Sequence, residues 1–120
     1  MSGGRGVLSL CDWTGVMVQP WIDAGFEATI VDMQHAPGAH REGPLTRIGC
    51  DVREYVLESA PLIVFAFPPC THLAASGARW WKAKGLGLLI EALQLVEACR
   101  VICDDSGAPY MIENPVGSLS

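Results

Sequence analysis

Hydrophobic positions in this chain fall into short, nearly unbroken runs separated by polar turns. VLSL (7–10) and ATIVD (28–32) read as short strands, and LIVFAF (62–67) is apolar at every position. Such runs suit strands of a parallel sheet covered on both faces. Between the first two, VMVQPWIDAG (16–25) predicts a helix entered through a turn at Asp12, Thr14 and Gly15, limited by Pro20 and stopped by Gly25. Residues 33–47 carry His, Pro and Gly without a clear period and are predicted as loop. IGCDV (48–52) predicts a third strand and REYVLESA (53–60) a helix. Leu89, Leu93, Val96 and Arg100 recur at helical spacing, which predicts a long helix over 86–106 stopped by Gly107. YMIEN (110–114) closes the pattern as a last strand.

Strands alternating with helices imply the α/β class: a doubly wound, mostly parallel sheet of about five strands, in one domain over residues 1–120. In open sheets of this kind ligands bind beyond the carboxyl ends of the strands. Asp12, Asp32, Asp51, Cys70 and Glu113 each follow a predicted strand, so one rim collects them.

Composition narrows the choice. Half of the 120 residues are hydrophobic, enough for a packed core. No apolar run approaches the roughly 20 residues that span a bilayer, and MSGGRG followed by VLSL lacks the apolar region of a signal peptide. No membrane association and a cytoplasmic location are therefore expected. Five cysteines without a CxxC pair argue for free thiols rather than a disulfide framework or a zinc site. Cys11, Cys50, Cys99 and Cys103 read as small buried hydrophobes. His35, His40 and His72, spaced by 5 and 32, fit no familiar metal site and are expected to be solvated. The net charge of -5 opposes broad attraction to nucleic acid, yet Arg79, Lys82 and Lys84 put three of the eight basic residues within six positions.

The stretch FAFPPCTHLAASGARWWKAKG (65–85) stands out because an apolar strand leaves through two prolines and presents Cys70 at once. Pro69, Cys70, Leu73 and Gly77 keep the spacing of the nucleophile loop of DNA cytosine-5 methyltransferases, Pro-Cys-Gln-x-Phe-Ser-x-x-Gly, with Thr71 and Ala74 in place of Gln and Ser. Glu113 and Asn114 match that family's Glu-Asn-Val, with Pro115 for Val. LSLCDWTG resembles its opening cofactor loop, although Trp13 stands where glycine is common and only Gly15 remains. The chain thus resembles the catalytic core of this family, most closely its compact phage-borne members.

The resemblance implies the Rossmann-like fold of S-adenosylmethionine-dependent methyltransferases, cut to its N-terminal catalytic half. The last strands and a target-recognition region are missing from the expected fold, and a second copy or another chain would cover the open sheet edge. It implies cofactor contacts at Asp12, Thr14, Gly15, Asp32, Met33, Asp51 and Pro68, with Asp32 on the ribose and Asp51 on the adenine amine. Catalysis falls to Cys70, Glu113 and Asn114. The chemistry needs these residue types: carbon 5 of cytosine is a poor nucleophile, so a thiolate must add to carbon 6 while a carboxyl shares a proton with ring nitrogen 3. The base must leave the duplex to be reached. Arg79, Trp80, Trp81, Lys82 and Lys84 are the expected DNA-binding cluster, by stacking and phosphate contact. Two other readings stay open: an inactive module binding S-adenosylmethionine or DNA, and an RNA or small-molecule methyltransferase with the same thiol chemistry.

Overall fold

The computed structural model describes residues 6–68 and 86–113. Among them, six strands form one sheet: β1 (Val7–Leu10), β2 (Ala28–Val31), β3 (Gly38–Glu42), β4 (Leu45–Gly49), β5 (Ile63–Ala66) and β6 (Tyr110–Ile112). The order across the sheet is β3-β4-β2-β1-β5-β6. Every neighbouring pair is parallel except β3 with β4. Counted along the parallel strands alone the order is 3-2-1-4-5, which reverses direction between β1 and β5. The fold is α/β, and the strand count exceeds the expected five because of β3.

The two faces follow from the period-2 alternation of side chains. Leu8 and Leu10 of β1, Val31 of β2, and Val64 and Ala66 of β5 meet α2 (Leu86–Ser106), which places Leu95, Cys99, Ile102 and Cys103 on them. Those four positions are spaced i, i+4, i+7 and i+8, one stripe of a helix. On the other face Val7, Ala28, Ile30 and Phe65 meet Val18, Met17, Trp21 and Ile22, from α1 (Gln19–Asp23) and the turn before it. Leu10 and Ile30 are wholly buried; a side chain of that size contributes about 1.5–3 kcal/mol when removed from water. Gly107, at φ 69, ends α2 as expected. Among the described residues no helix is long and apolar enough to cross a membrane.

Three expectations are corrected. The segment 33–47 is not all loop: β3 and most of β4 lie in it, joined through Gly43 at φ 60. Every residue of β3 is exposed, so an antiparallel edge strand forms without the hydrophobic signal that would reveal it. The helix over 53–60 is only a 3-10 turn, Val52–Glu54. Tyr55 and Leu57 then pack against the core beneath α2 while Val56 and Glu58 stay exposed, the alternation of an extended chain. The helix over 16–25 shrinks to α1, which begins beside Pro20, where a missing N–H costs nothing.

Candidate functional site

The residues that leave the strands are still held by the main-chain ladder. Asp12 N–H donates to the Val31 carbonyl at 3.0 Å, Asp32 N–H to Ile48 at 3.0 Å, Phe67 N–H to Leu10 at 3.0 Å, and Glu113 N–H to Ala66 at 2.8 Å. The backbone therefore fixes the rim one residue or more beyond each strand, and Asp12, Asp32 and Glu113 stand on it as expected.

After β1 the chain turns sharply at Cys11, whose φ of 56 lies in the left-handed region. For a residue with a Cβ this conformation costs about 1–3 kcal/mol. The turn folds Asp12 back over the strand end, 6% exposed. Its Oδ2 accepts from the Ser9 hydroxyl at 2.7 Å and its Oδ1 from the Gly15 N–H at 2.8 Å. Asp12 thus organises its own loop. Gly15 serves that loop at φ 77, with Ile30 Cδ1 at 3.4 Å from where a Cβ would stand.

His35 is buried, contrary to the expected solvated ring. Its Nε2–H donates to the Asp12 carbonyl oxygen at 3.0 Å, the tautomer that an acceptor-only partner requires. Trp13 lies against it, ring centroids 5.0 Å apart, and keeps half of its own surface open. The sequence reading missed this pair. The signal available in the sequence was an aspartate at a strand end, which favours a turn onto the N–H two residues on; here Asp32 Oδ1 accepts from Gln34 N–H at 2.7 Å. His40 is exposed, as expected.

Two adjoining cavities open on the rim at the point where strand order reverses. One, about 430 Å³, is lined by Asp32, Met33 and Gln34 after β2, Cys50 and Val52 after β4, and Glu91 and Leu95 of α2. The other, about 380 Å³, takes Asp12, Thr14, Val16 and Met17. Cys11, Trp13 and Phe67 line both. The larger has the size of a small-molecule site, mostly apolar with a few polar groups. Among the described residues Gln34 N–H donates to the Asp32 carboxylate, at Oδ1.

Asp51 is placed differently. It is absent from the lining of both cavities and caps the 3-10 turn, accepting from Arg53 N–H at 2.8 Å. The Arg53 guanidinium also grips it, Nη2 at 2.5 Å, and hydrogen bonding to Arg53 holds the carboxyl below its ordinary range. Arg53 reaches on to Gln94 of α2 at 3.0 Å. Cys50 lines the larger cavity, but burial, then the charges of Asp51 and Glu54, push its thiol up. Pro68 is fully buried and lines neither cavity. Glu113 is exposed. Cys70, Asn114, Arg79, Trp80, Trp81, Lys82, Lys84 and His72 lie outside the described residues.

Comparison of the chain with protein-family models, curated proteins and solved structures finds no match.

Proposed function

We propose that the rim holds S-adenosylmethionine and that the chain transfers its methyl group to carbon 5 of cytosine in DNA. The observation that carries the cofactor half is the state of the β1–α1 turn. Dinucleotide-binding sheets place a pyrophosphate on free N–H groups at this turn and the helix it opens. In this chain the Gly15 N–H is taken by the buried Asp12 carboxylate, and α1 begins only at Gln19, with a proline in its first turn. The larger cavity adds Asp32 and Glu91. A phosphate would meet the negative charge of Asp32 and Glu91 and find the Gly15 N–H already engaged, whereas an uncharged nucleoside bearing a cationic sulfur suits these groups.

In this reading the Asp32 carboxylate accepts from the ribose hydroxyls, and Met33, Val52, Leu95 and Phe67 give the purine an apolar wall. Trp13, braced by His35, closes the mouth. Asp51, engaged by Arg53, steadies the cavity floor more than it contacts the base. Bound S-adenosylmethionine supplies a methyl group on a positively charged sulfur. Cys70, two residues after Pro68, adds as thiolate to cytosine carbon 6, activated by the basic residues Arg79, Lys82 and Lys84. Glu113 shares a proton with ring nitrogen 3, and Asn114 aims it. Trp80 and Trp81 stack on or replace the displaced base. The setting is cytoplasmic, and a second copy or another chain pairs with the open edge of β6.

One observation favours a second reading, a module that binds cofactor or DNA without turnover. Glu113 is exposed, whereas proton sharing with the ring asks for a carboxyl in a partly dry site. Two measurements separate the readings. Calorimetric titration should find binding of S-adenosylhomocysteine and none of NAD; the reverse would sink the cofactor assignment. A duplex carrying 5-fluorocytosine should be trapped covalently by the chain and not by Cys70→Ser. Cofactor binding without any adduct supports the second reading.

A further inference from the structure

The Sγ atoms of Cys11 and Cys99 lie 3.9 Å apart, a contact between the turn after β1 and the middle of α2. Cys11 is half-buried and lines both rim cavities, while Cys99 is wholly buried behind it. A disulfide needs its sulfurs about 2.05 Å apart, so the two would have to approach by roughly 2 Å to bond. Cys11 also holds a left-handed backbone that the turn alone does not demand of a cysteine. We infer that Cys11 and Cys99 are a redox modification site: a peroxide converts them to a reversible disulfide, which reshapes the wall shared by the two cavities and weakens ligand binding there.

The chemistry balances with hydrogen peroxide as oxidant. The Cys11 sulfur attacks one peroxide oxygen, the O–O bond breaks, and the departing hydroxide takes the thiol proton and leaves as water, so that Cys11 becomes a sulfenic acid. The Cys99 sulfur then displaces the sulfenic hydroxyl, which departs as water with the Cys99 proton, and the S–S bond forms. Two thiols lose two electrons and the peroxide becomes two waters. The hydrogen bond to Cys11 and burial hold the Cys99 thiol well above its ordinary range, and its place behind Cys11 makes it the resolving sulfur. A dithiol reductant reverses the bond by exchange.

The disulfide stands on the geometry alone; its effect on binding rests on the cofactor site proposed above. The full chain is treated with hydrogen peroxide, digested without reduction and mapped by mass. A linked peptide joining Cys11 to Cys99, two mass units lighter than the thiols and lost on adding dithiothreitol, is expected. Cys99→Ala should give no such peptide and should accumulate a Cys11 adduct with dimedone. Absence of the link, or pairing of Cys11 with any other cysteine, overturns the site. Oxidation should lower affinity for S-adenosylhomocysteine at least tenfold, restored by reduction; unchanged affinity with the link in place overturns its effect on the cavity. Should the reduced chain bind no S-adenosylhomocysteine, the cofactor reading fails, and the peptide map alone decides the disulfide.

Discussion

The loops that follow β1 and β2 leave neighbouring parallel strands at the same rim, and each carries an aspartate at its start, yet the two carboxylates face opposite ways. Asp12 is turned inward onto the Ser9 hydroxyl and the Gly15 N–H. Among the described residues Asp32 accepts from the N–H of Gln34, and it lines the larger cavity. Ser9 of β1, which gives Asp12 its hydroxyl, pairs in the ladder with Ile30 of β2. A buried hydroxyl at that level draws a carboxylate in; a buried isoleucine offers it nothing. Strand-end acids are therefore not interchangeable ligand groups, and the strand beneath decides which one remains available.

The strongest way to break the comparison is at Gly49, where the loop after β2 crosses the end of β4. A Cβ there would stand 2.1 Å from the Ala36 carbonyl oxygen and 2.4 Å from that of His35, both backbone atoms. Neither can yield without shifting the loop, so Gly49→Ala should lose about 3 kcal/mol or more in denaturant titration. The tilt of Trp13 on His35 should be lost with it. Asp12→Ala comes next. It leaves a buried hydroxyl and a turn N–H without an acceptor, and hydrogen bonds to a charged group are worth about 1.5–3 kcal/mol each when lost. A drop in Tm of roughly 10 °C is expected, given the size scaling of unfolding entropy. Asp12→Asn, which keeps one acceptor, should fall in between. A melting curve for Asp12→Ala superimposable on that of the parent chain would show that the inward carboxylate holds nothing.

How far this was legible depended on whether side chains or backbone carried the information. β1, β5, α2 and the stop at Gly107 were legible because burial wrote them into unbroken apolar runs or helical spacing. β3 was not, since a strand exposed at every residue has no hydrophobic face to show, and its only token was the Gly43–Pro44 turn. The turn after the third parallel strand misled for the opposite reason: Tyr55 and Leu57 supply apolar residues, but at a spacing of two. That aspartates follow three strands was legible; which of them stays free was not. That outcome hangs on contacts such as Ser9 with Asp12 and Arg53 with Asp51, which only the fold brings together. Cys11 gave no sign, because no local rule places a cysteine at positive φ.

Asp32→Ala sharpens the comparison from the other loop. Its carboxylate makes one hydrogen bond within its own turn, so stability should change by less than about 0.5 kcal/mol, as for a surface substitution. Affinity for S-adenosylhomocysteine should fall by about 1–3 kcal/mol, roughly 5- to 150-fold, the loss of charge-assisted bonds to the ribose. Calorimetric titration beside a thermal melt separates the two. Lost stability with unchanged affinity would place Asp32 with Asp12 as a loop organiser.

The smallest effect is expected at Asp51, the third strand-end acid, and it appears only against pH. Hydrogen bonding to Arg53 lowers its pKa in the folded chain from the ordinary 3.8. A group depressed on folding binds fewer protons in the native state, so its stabilisation is complete above the ordinary value and drains away as pH falls through the folded one. The pair also connects the exit of β4 to α2 through Gln94. Asp51→Asn should therefore melt somewhat below the parent near neutrality, and the gap should close as the pH drops below about 4. Because the Arg53 and Asp51 side chains keep 33% and 19% of their surface open, added salt should narrow the gap as well. Melting curves that stay parallel from about pH 7 to about pH 3 would mean that Asp51 contributes as a cap for the 3-10 turn, through the Arg53 N–H that asparagine can also accept, and that its charge does nothing.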